Sequence, residues 1–265
     1  MPNVARVRRC HLDWPPLRRI APQILLAATL AACHRAPPPP VQPPRAVADA
    51  KPVAVRSEQV AFEVVERVAG LEHPWSLAFL PDGDMLVTER PGRLRRIGAD
   101  GTVSAPIAGL PEIFVDGQAG LLDVVLSPTF AEDYLVFLSF AEPNLRGNKA
   151  GTAVARGRLQ GDALLDVEVV YRQEPKLSSG THVGSRLVFD RGGNLFVTTG
   201  DRYSARNEAQ NPGNHLGKVI RITTDGEAPA DNPKLQGWRP EIWSIGHRNG
   251  QAAALHPESG KLWTV

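Results

Sequence analysis

Three observations predict an all-β fold built from repeated hairpins. From about Gln59 to Val265, about 205 residues, no long stretch carries the 3.6-residue apolar period of an amphipathic helix. Short apolar runs are bounded instead by Gly, Pro, Asp and Asn, the residues that end strands and make turns. One strand–turn–strand pattern also recurs. Its copies are 77–89 (LAFLPDGDMLVTE), 125–137 (VLSPTFAEDYLVF), 187–199 (LVFDRGGNLFVTT) and 254–265 (ALHPESGKLWTV). Their turns fall at Pro81, Pro128, Arg191 and Pro257, roughly 45–65 residues apart. That spacing suits a four-stranded propeller blade better than the look-alike hairpins of a β-sandwich. The expectation is a β-propeller domain over 57–265 with about four blades present. The fourth copy stops at Val265 inside its second strand, so the chain reads as a fragment or a truncated product.

The segment ahead of the domain reads as an export signal. Arg6, Arg8, Arg9, Arg18 and Arg19 precede an apolar stretch from Ile20 to Ala32 of about 13 residues, broken by Pro22, Gln23 and Thr29. That is short for a bilayer span and right for a signal core. It ends in Leu30-Ala31-Ala32-Cys33, which resembles the lipobox of bacterial lipoproteins. Residues 1–33 are therefore expected to be a lipoprotein signal, with Cys33 acylated and holding the protein at the periplasmic face of the outer membrane. An ordinary secretory signal is the competing reading. Cys10 and Cys33 are the only cysteines, so the domain has no internal disulfide and rests on its core.

The leader holds five Arg and one Asp, a formal +4; taken from the +2 of the whole chain, this leaves −2 for the rest. A nucleic-acid partner needs a basic face, and none is expected. Residues 34–56, with Pro37–Pro40, Pro43 and Pro44, read as a Pro-rich spacer.

Three clusters precede or follow repeat strands. His182 lies just before the first strand of the third copy, and Asp201 just after its second. The entry of one hairpin strand and the exit of its partner share an end, so the two can be neighbours on one rim. A carboxylate that accepts a hydrogen bond from one imidazole nitrogen makes the other a better base. A lone His–Asp pair is equally a structural contact. Gly246-His247-Arg248-Asn249-Gly250-Gln251 precedes the fourth copy, and Asp116-Gly117-Gln118-Ala119-Gly120 precedes the second. Blade logic brings both to the same rim, where propellers collect ligands. Asp82-Gly83-Asp84 and Asp225-Gly226 read as turns, not calcium loops.

These motifs together resemble a known family. Leu71-Glu-His-Pro-Trp-Ser-Leu-Ala-Phe79, Leu86-Val-Thr-Glu-Arg90, Gly117-Gln-Ala-Gly-Leu-Leu122, His182 with Ser185-Arg-Leu-Val-Phe189, Thr199-Gly-Asp-Arg202, His215-Leu-Gly-Lys218 and Gly246-His-Arg-Asn249 occur in one order. The pattern is similar to the soluble pyrroloquinoline quinone (PQQ)-dependent sugar dehydrogenases of the glucose/sorbosone dehydrogenase family, close to the aldose sugar dehydrogenase branch. The resemblance implies a six-bladed propeller, PQQ and calcium as cofactors, and oxidation of the C1 hydroxyl of an aldose to a lactone. It implies His182 as general base, Asp201 as its orienting acid, Arg248, Asn249 and Gln251 as cofactor contacts, and Gln118 as a sugar contact. Thr181 departs from an acidic residue found before the histidine in some members. The family's acidic Gly-Pro loop with calcium ligands, and its later basic residues, correspond to sequence beyond Val265. Metal ligands and the electron acceptor are not assigned. A binding-only propeller and a calcium-dependent lactonase are the alternatives.

Overall fold

The structure, a computed structural model, describes residues 42–48 and 50–265. The expected signal segment, Cys33 and the proline run at 37–40 lie outside the described residues.

Four short strands come first: β1 (Arg45–Ala46), β2 (Val53–Arg56), β3 (Ala61–Val64) and β4 (Val68–Ala69). β1 pairs with β4, and β2 with β3. The spacer expected to run to residue 56 therefore contains two strands. Only Pro52 interrupts residues 45–56, so most of these main-chain N–H groups are free to join a ladder. The β2–β3 turn is closed by Ser57, whose hydroxyl donates to the Val60 carbonyl at 2.8 Å.

Four antiparallel sheets follow, each built from strands consecutive in the chain. The first holds β5 (Pro74–Phe79), β6 (Met85–Glu89) and β7 (Arg93–Ile97). The second holds β8 (Leu121–Leu126), β9 (Leu135–Pro143), β10 (Ala150–Gln160) and β11 (Ala163–Arg172). The third holds β12 (Gly184–Phe189), β13 (Leu195–Thr199), β14 (Lys218–Ile222) and β15 (Ile242–Ile245). β16 (Ala253–Leu255) and β17 (Leu262–Thr264) make the fourth. The leading strands β5, β8, β12 and β16 pack on one another in succession. Sheets meeting through their first strands are the blades of a propeller, here four of them. A single helical turn, α1 (Phe130–Asp133), is the only α-helix among the described residues.

The four repeats are the hairpins β5–β6, β8–β9, β12–β13 and β16–β17. The first and third share one turn. Leu80 N–H donates to Asp84 O and Gly83 N–H to Leu80 O; Asp190 N–H donates to Asn194 O and Gly193 N–H to Asp190 O. Gly83 and Gly193 sit at φ +91° and +81°, a region closed to most L side chains. The second copy differs from the expected simple turn. α1 fills it, with Ser127 and Thr129 both donating to the Asp133 carboxylate.

Packing explains why β9 is apolar at nearly every position. Val136, Leu138 and Phe140 pack in one cluster with Leu86 and Leu94 of the first sheet and with Leu121 and Phe130 of their own blade. Phe137 points the other way, to Leu187, Leu195, Val197 and Ile220 of the third sheet. A strand buried on both faces loses the polar–apolar alternation of a half-exposed one.

Candidate active site

The site forms where four loops meet at one end of the blades. Gly200 follows β13, and a Cβ there would overlap the His182 carbonyl oxygen. Only glycine lets these two chains pass so closely. His182 itself adopts φ +50°, as Arg202 and Tyr203 adopt +56° and +60°. Left-handed residues of this kind cost on the order of 1–3 kcal/mol each and persist only where neighbours hold them. Here the His182 N–H donates to Gln118 Oε1 at 2.8 Å, and the Arg202 N–H donates to the His182 carbonyl at 3.2 Å.

His182 Nδ1 and Asp201 Oδ1 lie 2.7 Å apart. The same oxygen accepts the Tyr203 N–H at 2.8 Å. Asp201 is fully buried, so an ionised carboxylate gains most from a donor, and Nδ1 is the donor. Nε2 then carries the lone pair. The His182 side chain is 19% exposed, open enough for a substrate hydroxyl to reach it.

The third loop supplies the cation. Arg248 O accepts the Asp201 N–H at 2.8 Å, and Arg248 Nε lies 3.4 Å from Asp201 Oδ2. Oδ2 has no hydrogen-bond partner among the described residues. The Arg248 side chain is 61% exposed, and Asp201 is its one ion-pair partner among the described residues. Asn249 Oδ1 accepts the Gly184 N–H at 2.9 Å, pinning the loop to the start of β12.

His182, Asp201, Arg248, Asn249 and Gln118 thus converge as blade logic expects. Gln118 is joined to His182 through its amide oxygen. Gln251 makes no side-chain hydrogen bond among the described residues. Its main chain is engaged, with the carbonyl accepting Arg186 Nε at 3.1 Å. It stands two residues beyond Asn249, on the way into β16, and so is carried from the rim toward the leading strands.

Two residues escape sequence reasoning. The Tyr203 ring stands edge-on to His182, centroids 5.3 Å apart and planes at 89°, and is 56% exposed. Arg202 is fully buried, and one of its nitrogens donates to Ala150 O at 3.2 Å. Burial lowers its guanidinium to about 10, against a raising pull from Asp116. The Thr199-Gly200-Asp201-Arg202 motif marks the loop but says nothing of which way these side chains turn.

The donor set suits an anionic, carbonyl-rich ligand. An open guanidinium and a neighbouring amide present N–H groups, and a buried carboxylate holds the guanidinium from behind. Among the described residues no three His, Cys, Asp or Glu side chains converge to hold a metal ion. Asp82 and Asp84 pair with Arg96, as a turn would have them.

A family profile described as Glucose / Sorbosone dehydrogenase matches residues 71–265. Aldose sugar dehydrogenase YliI of Escherichia coli K12 is 50% identical over 198 residues, covering 73% of this chain and 53% of that protein. The apo-form structure of soluble aldose sugar dehydrogenase from Escherichia coli superposes with a TM-score of 0.70 at 48% identity, over 73% of this chain and 57% of that one. A PQQ-bound aldose sugar dehydrogenase from Streptomyces coelicolor gives 0.66 at 28% identity, over 83% and 61%. The chain spans about half the length of the curated relatives it matches.

Proposed function

The chain belongs to the glucose/sorbosone dehydrogenase family, and from that premise we propose that it supplies the base and cofactor-holding side of a PQQ-dependent aldose dehydrogenase. The observation that carries this reading is the His182–Asp201 pair set beside the open Arg248 guanidinium. An aldose with its C1 hydroxyl at His182 Nε2 loses that proton to the imidazole. Asp201, fixed at Nδ1, stabilises the imidazolium that results, without itself taking the proton. Oxidation to the lactone also removes the C1 hydrogen with its electron pair; PQQ, when bound, supplies the acceptor for it. Arg248 and Asn249 would hold that group, and Arg248 would offset negative charge growing on its oxygens. Gln118 steadies the His182 main chain through its amide oxygen, and its amide nitrogen would serve as a sugar contact. Gln251 was expected among the cofactor contacts and takes no such part in this reading.

Calcium, implied by the resemblance, meets no side-chain cage among the described residues. The basic leader, its apolar core and Cys33 support an acylated anchor on the periplasmic face of a membrane. The electron acceptor is left unassigned.

The test is to load the chain with PQQ and calcium, follow PQQ binding by absorbance, and supply aldoses with a redox dye. Aldose-dependent dye reduction is expected, falling at least 10²-fold in His182→Ala, and PQQ binding is expected to weaken in Arg248→Ala. Turnover indifferent to His182→Ala, or lactone hydrolysis without PQQ, sinks the reading.

A further inference from the structure

Arg186 lies on β12, outside the cluster just described, and its guanidinium touches the leading strands of the first two sheets and the loop ahead of the fourth. Nη1 donates to Asp123 Oδ1 on β8 at 3.0 Å and to the Ser76 hydroxyl on β5 at 3.3 Å. The guanidinium carbon stands 4.4 Å above the centre of the Trp75 ring, within the range of a cation–π contact. Nε donates to the Gln251 carbonyl, ahead of β16, at 3.1 Å. Asp123 is equally committed. It accepts the Leu187 N–H at 2.7 Å, the Val124 N–H at 2.9 Å and the Ser76 hydroxyl. Burial pushes the Asp123 carboxyl above the usual carboxylate range, while the Arg186 cation pulls it down. Removing the cation would leave that acid uncompensated among the leading strands.

The clasp reaches the site through the Arg248–Gln251 loop. That loop is held to blade three at four successive points: Arg248 O by Asp201 N–H, Asn249 Oδ1 by Gly184 N–H, Gly250 O by the Thr198 hydroxyl and Gln251 O by Arg186. The last contact is the only one of the four made by a charged side chain, and the only one that also ties in blades one and two. We propose that Arg186, itself held by Asp123, is a positioning residue that sets where Arg248 and Asn249 stand relative to His182 and Asp201. Its catalytic meaning rests on the functional reading above; its geometric content does not.

The experiment uses the apo chain first. Arg186→Lys keeps a cation near Asp123 but has no planar fork to reach Gln251 O and Asp123 at once. Asp123→Asn keeps the shape and removes the charge. Arg95→Lys, which disturbs the buried contact with Glu89 in blade one at 2.6 Å, is the control. NMR signals of the His182 ring and of Arg248 Nε–H are followed beside thermal melting. Both signals are expected to move in Arg186→Lys and Asp123→Asn. In Arg95→Lys they should stay in place while the melting temperature falls by a similar amount. PQQ affinity is expected to drop roughly tenfold to a hundredfold in the two clasp variants, the loss that about 1 Å of misplacement brings. Unmoved signals in the folded clasp variants, or equal movement in the control, would overturn the proposal. A wild-type chain that binds no PQQ counts against the functional reading alone, and the NMR comparison still decides this one.

Discussion

At one end of the β12–β13 hairpin, five consecutive residues close the chain on themselves. Asp190 caps the N–H groups of Gly192 and Asn194, each at 2.8 Å, and Gly193 supplies the left-handed step. At the other end the contacts that build the site come from afar. His182 and Asp201 are joined across the hairpin, Gln118 comes from the loop ahead of β8, and Arg248 and Asn249 from the loop ahead of β16. The main-chain path of the first end is set by neighbours in sequence. The second is assembled by the propeller, and it leaves one carboxylate oxygen, Asp201 Oδ2, without a hydrogen bond among the described residues. Blade one offers the equivalent rim position for contrast. There Glu89 ends β6 and is saturated by Arg93, Arg95 and the Glu72 N–H. One rim is locked for stability, and the other is held open.

The largest effect should come from unbalancing the open rim. Asp201→Asn preserves shape but offers no full negative charge to Nδ1, and its amide can turn a donor toward the ring. Aldose-dependent dye reduction should fall by roughly 10³-fold, with the urea midpoint changed far less. A variant that unfolds at a much lower urea concentration while keeping its residual rate would show that Asp201 serves the fold and not the base.

The two ends also differed in how well they could be read from sequence. The Pro-Asp-Gly-Asp and Arg-Gly-Gly-Asn turns announce themselves, because turn geometry is written in adjacent residues. The site was legible through the repeat, which puts residues 118, 182, 201 and 248 at equivalent blade ends, and through the family resemblance, which implies their roles. Periodicity cannot tell that Gln251 engages through its carbonyl, that Tyr203 turns its ring onto His182, or that Asp123 finds Arg186 across 63 residues. Those outcomes depend on side-chain direction across sheets. Strands β1 and β2, inside the expected spacer, escape composition for a related reason: pairing partners at 61–69 decide them.

Gly200→Ala should strike fold and site together. The new methyl meets the His182 carbonyl, a backbone atom that cannot swing aside. Overpacking of this kind costs about 2–3 kcal/mol, and the separation it forces between His182 and Asp201 should lower turnover about 10²-fold. Urea unfolding and dye reduction on the same preparation check both. A normal rate in the variant would mean that the loops tolerate separation, against the geometry described.

The closed rim of blade one makes a pH prediction. Burial alone would raise the Glu89 carboxyl, but the hydrogen bonds from Arg93, the Glu72 N–H and Arg95 outweigh it and hold the group at about 2. The folded value lies below the unfolded one of 4.5. Its stabilisation is therefore present above pH 4.5 and lost as pH falls from there toward 2. Glu89→Gln should cost about 1–2 kcal/mol at pH 7 and flatten the acid limb of stability over that window. An unchanged limb would place the acid-sensitive contacts elsewhere.

Gly193→Ala should have the smallest effect, and it is the partner of the Gly200 test. Both are glycines beside the same hairpin. At Gly193 a Cβ meets nothing within 4 Å, so no steric overlap accompanies the change. What remains is the strain of an L residue at φ +81°, about 1 kcal/mol. That cost falls on a turn whose main-chain bonds are local and whose longer contacts, Asp190 to Arg221 and Arg191 to the Pro257 and Glu258 carbonyls, lie at the end of the hairpin away from the site, so neither His182 nor Arg248 should register it. Urea unfolding should show the loss of about 1 kcal/mol with the rate of dye reduction unchanged. A drop in rate as large as that of Gly200→Ala would mean that the two ends of the hairpin are mechanically coupled, and the distinction between a local turn and an assembled rim would have to be abandoned.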